Sequence, residues 1–561
     1  MAESMITTST WIPRGFAAPF PSRYNFDEAD FERMTELAKL KLDDANDDLE
    51  EAQRGGGDDE NNGDENEDED EDEDEDSITG VDDDAVVGER KDQTPNKKQK
   101  AEEIDINDPD LKEYDLEHYD DEDEDDVHGQ RMDMFGNIKS LAYYESNKED
   151  PYITIPDEQD QQDEDREELQ ILATDNLLLA AKVEDELAYL EVFVYEDDAD
   201  NLYVHHDIML PAIPLCLEWL DVPVSKVGVG KDATANFVAI GTMDPDIEVW
   251  DLDTVDSICP NAILGQGGNL QEQDRKKKKK KKKSKKANDE YHVDAVLSLA
   301  ANRKHRNLLA SASADKTVKL WDLNTAKCAK SYSYHTDKVC SLAWHAVEST
   351  VLLSGSYDRT VVAADMRAPD AKTPRWGVES DVENIKWDPH DPNFFYVSTE
   401  NGIIHYFDIR NIPSSPSASK AVWTLQAHDE SLTSFDINAH VPGFIATGST
   451  DKTVKLWNIQ PSGPAMVVSR NLDIGRVFST NFAPDPEVAF RLAVAGSKGT
   501  MHVWDTSTNA AVRKAFAHKL AVKPTDDIEE RLVSVANAES SEDGSDDEDD
   551  EEESGDSMDE D

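Results

Sequence analysis

Apolar and polar residues alternate in short runs along most of the chain. In SLAWHAVESTVLLSGSYDRTVVAAD (Ser341 to Asp365), Val, Leu and aromatic residues recur with a period near two. That period, with turn residues between the runs, predicts half-buried β-strands and not helices. The runs also repeat as a unit. ASASADKTVKLWD (Ala310 to Asp322) and ATGSTDKTVKLWN (Ala446 to Asn458) are near-copies, and weaker copies recur at 43 to 50 residues. A Trp-Asp place falls at Trp250, Trp321, Ala364, Phe407, Trp457 and Trp504. A second apolar place keeps step with it at Trp219, Ala301, Trp344, Trp387, Ile437 and Phe482. Two registers sharing one period mark one small unit built many times over. Upstream, NLLLAAK, LAYLEVFVYED and NLYVHHDIML supply strands for a further unit without its Trp, which makes seven units between about 170 and 518. Four-stranded units of this length close into a ring, which limits exposed sheet edges. The expected fold class is all-β, a seven-bladed β-propeller. PYITIP (Pro151 to Pro156) and AAVRKAF (Ala510 to Phe516) compete as the strand that closes the ring.

Charge divides the chain further. The 561 residues carry a formal net charge of −68, concentrated in residues 43–76 and 539–561, with a third acidic stretch at 115–126. Such runs repel themselves and have little to bury, so disordered acidic N- and C-terminal extensions are expected. Against them stands RKKKKKKKKSKK, basic at eleven of its twelve positions: Arg275, Lys276, Lys277, Lys278, Lys279, Lys280, Lys281, Lys282, Lys283, Lys285 and Lys286. This block reads as a nuclear or nucleolar address or a polyphosphate-binding loop, with a solvated linker as the plain alternative. The four cysteines show no ligand-like spacing and read as small apolar strand residues in a chain without disulfides. No apolar run approaches a membrane span and the N-terminus lacks a secretory pattern, so a soluble intracellular protein is expected. The expected division is 1–42, an N-terminal docking segment; 43–140, mostly disordered and acidic; 141–518, the propeller, with a lysine-rich insertion at 265–290; and 519–561, a disordered acidic tail.

The repeat units resemble the WD-repeat family, with its signature His, strand Ser/Thr, turn Asp and Trp. The resemblance implies a buried hydrogen-bond network within a blade, formed by His292, Ser311, Asp315 and Trp321 in the third blade. In the sixth it is His428, Thr447, Asp451 and Trp457. The fourth keeps His335, Ser354 and Asp358 but has Ala364 in the Trp place; the fifth has Asn401 and Phe407, and the seventh has Lys498 in the Asp place. Residues of such a network are structural and are not catalytic candidates. TWIPRG (Thr10 to Gly15), LKEYDLEHYD (Leu111 to Asp120), NLYVHHDI (Asn201 to Ile208) and IEVWDLDTVDSI (Ile247 to Ile258) precede the lysine-rich insertion. In that order they are similar to the periodic tryptophan protein 1 family of nuclear and nucleolar WD-repeat proteins. The resemblance implies an assembly factor of large-subunit ribosome precursors in the nucleolus, with other assembly factors and pre-ribosomal RNA as partners. For some members it also implies a link to ribosomal-gene transcription, chromatin and histones.

Patterns for chemistry are scarce. GVGK (Gly228 to Lys231) lacks the spacing of a phosphate loop and reads as a surface turn. His205, His206 and Asp207 are strand neighbours, which point to opposite faces, so no shared metal is expected. There is no HExxH, nucleophile elbow or nucleotide fingerprint. The expectation is no enzyme, no cofactor, no membrane and no small-molecule substrate. Binding is the better destination. The turn after the Asp and the start of the innermost strand share the top rim, and there lie Lys316, Lys338, Arg359, Lys452, Arg476 and Lys498. A basic rim is expected to hold RNA phosphates, the plain alternative being cations that only solvate. Arg303, Lys304 and Arg306 form a second basic cluster on the opposite loops. Phe31, Met34 and Leu37 approximate one face of a helix, and Trp11, Ile12 and Phe16 flank Pro13. Together they form a docking element for a partner or for the propeller's own side. Deleting 1–42 is then expected to release partners without unfolding the propeller. Ser545 and Ser557 precede acidic residues and suit acid-directed kinases, which makes the tail a phosphorylation candidate.

Overall fold

The alternating runs form seven four-stranded sheets in a computed structural model that describes residues 4–24, 166–167, 169–224, 234–265, 288–368, 371–517 and 529–535. The chain is a seven-bladed β-propeller. From the axis outward, blade 2 is built from Pro214–Leu220, Phe237–Thr242, Ile247–Asp251 and Ala262–Leu264. Blade 3 is Val296–Ala301, Leu308–Ser313, Val318–Asp322 and Lys327–Tyr332. Blades 4, 5 and 6 repeat the pattern from the inner strands Val339–Trp344, Val382–Trp387 and Leu432–Ile437. Blade 7 has Val477–Phe482 innermost and Leu532–Ser534 outermost. Pairing within every blade is antiparallel, and the core lies between blades, where alternate side chains of adjacent sheets interdigitate.

Blade 1 departs from the sequence expectation. Its outer three strands are Asn176–Glu184, Leu187–Glu196 and Asn201–Leu210, as the apolar pattern indicates. Its innermost strand is Ser4–Ile12, from the far N-terminus, paired antiparallel with Asn176–Glu184. This strand touches the inner strands of both blade 7 and blade 2 and so completes the ring. Ile6 and Trp11 pack with blade 7 residues such as Ala493 and Val503, whereas Ile12 packs with Trp219 and Trp250 of blade 2. Trp11 is 6% exposed and Ile12 1%. These two residues are part of the propeller core and not a surface element for a partner. Phe16 likewise lies edge-on to Trp219, with ring centroids 4.7 Å apart.

Two further boundaries move. AAVRKAF does not close the ring: Ala510–Ala515 is a short helix, because the Asn509 side chain accepts hydrogen bonds from the backbone N–H groups of Ala511 and Val512. Blade 7 instead takes its fourth strand from Leu532–Ser534, inside the expected tail, where Val533 packs into the blade 1–blade 7 core. PYITIP, GVGK, LKEYDLEHYD, the Phe31–Met34–Leu37 face, the block from Arg275 to Lys286, Ser545 and Ser557 lie outside the described residues.

Every inner strand has a register shift at the same place, between Ile6 and Thr8 in blade 1 and between Val477 and Ser479 in blade 7, for example. A bulge bends the strand and frees one residue from the ladder. That freed residue ties blades together. Thr7 Oγ1 donates to the Pro214 carbonyl at 2.8 Å, and Cys340 Sγ donates to the Val382 carbonyl at 2.9 Å. Each acceptor is the first residue of the next inner strand.

Candidate functional site

The repeated polar residues are engaged inside the blades. In blade 3, Trp321 Nε1 donates to Ser311 Oγ at 2.8 Å, and Ser311 Oγ lies 2.7 Å from His292 Nε2. His292 Nδ1 reaches Asp315 Oδ2 at 2.9 Å. A neutral imidazole with its proton on Nδ1 satisfies every link, and burial keeps the His292 pKa low. Burial pushes Asp315 up, but hydrogen bonds from His292 and Thr317 outweigh it and hold the carboxyl at about 2. Blade 6 repeats the chain of bonds through Trp457, Thr447, His428 and Asp451. Blade 4 keeps the His335–Ser354 and His335–Asp358 bonds at 2.8 and 3.0 Å, without an indole. Blade 7 has the Trp but not its acceptor. Val494 stands in the Ser place, and the buried Trp504 Nε1 has no hydrogen-bond partner among the described residues.

A second polar circuit runs around the axis. Ser298 Oγ accepts from Leu342 N, Ser341 Oγ from Ile385 N, and Ser434 Oγ from Thr480 N. Ser479 Oγ accepts from Ser9 N, so the N-terminal strand takes its turn in the same series. The apolar places read from the sequence follow three residues later. Trp387 Nε1 donates to the Ala343 carbonyl at 3.0 Å and Trp344 Nε1 to the Ala300 carbonyl at 2.9 Å. Trp11 Nε1 donates to the Asn481 carbonyl at 3.0 Å in the same geometry. Trp11 is therefore the seventh member of that register. The signal was present: Thr8-Ser9-Thr10-Trp11 matches Ser341-Leu342-Ala343-Trp344, with a hydroxyl residue three places before the Trp.

The rim cations divide into two groups. Lys316, Arg359 and Lys452 follow the turn Asp and adopt positive φ of 70°, 63° and 66°. In blades 5 and 7 the same place holds Gly402 and Gly499. A side chain there costs about 1–2 kcal/mol of backbone strain. Lys498 is not in that turn place but occupies the Asp position before Gly499. Three of the six cations have carboxylate partners: Lys316 with Asp337 at 3.9 Å, Arg359 with Asp381 at 3.1 Å and Lys498 with Asp473 at 2.6 Å. The rim is thus mixed in charge and not a continuous basic band. Lys338, Lys452 and Arg476 are exposed and have no ion-pair partner among the described residues. On the same side, Glu383 of the blade 5 inner strand is raised by burial and by Glu400 and Asp381, up to about 7.

The opposite cluster is largely spent on the fold. Arg303 pairs with Glu218 at 2.8 Å and lies over the Trp219 ring, 5.2 Å from its centroid. Arg306 pairs with Asp221 at 2.7 Å, and Lys304 Nζ donates to the Val347 carbonyl. These residues join blade 3 to blades 2 and 4. The two histidines of blade 1 also differ from expectation. A bulge at His205 brings the rings together, with Nδ1 atoms 2.8 Å apart, where simple alternation would separate them. Among the described residues no three His, Cys, Asp or Glu side chains form a metal-ligand group.

The family model for the WD domain, G-beta repeat, matches residues 286–322, 326–362 and 419–458. These segments hold the three blades with a His–Asp pair. An uncharacterized WD repeat-containing protein of Schizosaccharomyces pombe is 48% identical over 539 residues, covering 96% of each chain. Periodic tryptophan protein 1 of Saccharomyces cerevisiae is 38% identical, covering 92% of this chain and 90% of its own. The chain belongs to the periodic tryptophan protein 1 family. The Drosophila melanogaster homologue of periodic tryptophan protein 1 is 30% identical over 68% of this chain and 77% of its own. Membership in this family of WD-repeat proteins makes the chain a scaffold-type propeller. Eight of its ten tryptophans fall into two periodic sets, one at the Trp-Asp place and one at the lower end of the inner strands, while Trp376 and Trp423 lie on the outermost strands of blades 4 and 5.

Proposed function

We propose that the protein is a non-enzymatic scaffold in nucleolar assembly of the large ribosomal subunit, holding assembly factors and pre-ribosomal RNA and acting in rRNA processing. The observation that carries this reading is the similarity along nearly the whole chain to periodic tryptophan protein 1. The internal engagement of the repeated His, Ser, Thr and Asp residues supports a binding role and not a catalytic one. Lys338, Lys452 and Arg476, unpaired among the described residues, supply the phosphate contacts. The block from Arg275 to Lys286 supplies nucleolar targeting, and the acidic C-terminal tail, phosphorylated at Ser545 and Ser557, competes with RNA for the rim.

Sedimentation of the native protein from nuclear extract tests the reading. Co-migration with large-subunit precursors that is lost after RNase treatment is expected. RNase-insensitive association with chromatin instead would replace it with the histone-binding alternative. Changing Lys338, Lys452 and Arg476 together to Gln is expected to weaken RNA binding and to reduce its salt dependence by about 3 in log-log slope at most.

A further inference from the structure

Six blades fill the lower end of the inner strand with a large side chain: Trp11, Trp219, Trp344, Trp387, Ile437 and Phe482. Blade 3 has Ala301. A cavity of about 350 Å³ opens there, lined by Ala300, Ala301, Arg303, Lys304, Leu342 and Trp344 among others. That volume falls in the range of pockets that hold a small molecule or a large side chain. The missing bulk is not replaced from within. Arg303 is held against Trp219 and Glu218, and Glu218 in turn accepts from the Ala301 N–H at 3.1 Å, so Arg303 and Glu218 form a wall of the cavity. The floor is apolar, with Leu299 and Leu342 both buried. The Trp344 indole N–H is already bound to the Ala300 carbonyl, so its ring offers only carbon surface. The nearby His345 accepts two backbone N–H bonds at Nδ1, from Val347 and Glu348, and holds the Pro392 carbonyl through Nε2, so both ring nitrogens are engaged within the fold. Among the lining side chains the charges are Arg303 and Lys304 against Glu218, and Lys304 has no carboxylate partner among the described residues. An apolar floor with a net positive mouth selects an apolar side chain flanked by carboxylates.

We propose that this cavity is a docking socket for an acidic segment of another protein, which inserts one aromatic or leucine side chain beside Ala301. The guest side chain completes the ring of bulky groups that the other six blades supply for themselves. Its flanking carboxylates meet Lys304 and Arg303. The inference is independent of the ribosomal reading, because it rests on the cavity and its lining alone.

The test uses the full chain labelled with fluorotryptophan, the Trp344 resonance being assigned from a Trp344→Phe sample. The probes are the peptides Asp-Glu-Trp-Glu-Asp, Asp-Glu-Ala-Glu-Asp and Lys-Lys-Trp-Lys-Lys. The acidic tryptophan peptide is expected to shift the Trp344 resonance and to bind at least about tenfold more tightly than its alanine analogue. Ala301→Phe and the less bulky Ala301→Leu are expected to abolish the shift while leaving the Trp387 resonance and the thermal transition in place. No shift at millimolar peptide, equal binding of the alanine analogue, or tighter binding of the lysine peptide would each overturn the proposal. A shift seen only after Phe31, Met34 and Leu37 are all changed to Ser would assign the socket to this chain's own N-terminal segment and overturn it too.

Discussion

Ser9 Oγ lies 2.9 Å from Ser479 Oγ, across 470 residues of chain. Through this contact the first strand of the protein is bound to the inner strand of its last blade. Arg14 extends the latch: its backbone N–H donates to Asp485, and its guanidinium pairs with Glu487 at 2.8 Å. Closure of the propeller is therefore an act of the N-terminus.

Removing residues 1–15 takes the innermost strand out of blade 1, exposes the edge of Asn176–Glu184 and uncovers apolar side chains of blades 7 and 2. The cooperative thermal transition of the propeller is expected to disappear. Trp11→Ala alone is expected to cost about 3–5 kcal/mol, read from denaturant unfolding. An intact transition after the deletion would restore the simpler view of a dispensable docking arm.

Blades 5 and 7 allow one substitution to be tested against itself. Val494 and Val397 occupy the Ser place of blade 3, ten residues before Trp504 and Phe407, and are paired across their sheets with His502 and His405. Val494→Thr places a hydroxyl where the unpaired Trp504 N–H needs an acceptor, as Thr447 does for Trp457 in blade 6. Val397→Thr buries a hydroxyl beside Phe407, which has nothing to donate. The blade 5 change is expected to cost about 1–3 kcal/mol, and the blade 7 change to be at least about 1 kcal/mol less costly. Equal losses in urea unfolding would count against the network account.

Ion pairs at the closure differ in worth by their burial. Arg491 is bound to Asp197 at 2.7 Å and to Asp505 at 2.6 Å, with only 12% of its side chain exposed. Arg491→Leu leaves two carboxylates poorly compensated at the blade 1–blade 7 boundary and is expected to cost about 3–5 kcal/mol. Lys498→Leu breaks a pair whose Asp473 partner is 87% exposed, and is expected to change stability by about 1 kcal/mol or less. Comparison of the two melting curves checks the ranking.

Glu383 makes stability depend on pH. Its ordinary value is 4.5, and burial with the neighbouring Glu400 and Asp381 carboxylates raises it to about 7. Between those values the folded chain holds a proton that the unfolded chain has released, so this group's contribution falls as pH rises through the window. Glu383→Gln is expected to raise the melting temperature at pH 8 and to lose that advantage near pH 4. A gain of the same size at both would show that the carboxyl is not the cause.

Much of this was legible in the sequence because a repeat writes the same short-range instruction many times. Period two gave strands, the 43-to-50-residue spacing gave the blades, and the resemblance to WD repeats pointed to the residues of the networks in blades 3 and 6. The candidate site was less legible. Whether Arg359 is free or bound depends on Asp381, 22 residues away on the next blade, and no local pattern records that distance. The same holds for Arg303 and Arg306, which resemble an open basic cluster in sequence but lie against Glu218 and Asp221.

By itself the sequence determined the kind of unit, the number of units and most of the strands within them, since these follow from side-chain alternation and composition within about fifty residues. Only the tertiary structure decided where the ring closes, which cations keep their charge free and that His205 and His206 face one another. Those outcomes depend on strand pairing across more than 150 residues and on a single bulged residue, whose gain appears only once the neighbouring blades are in place.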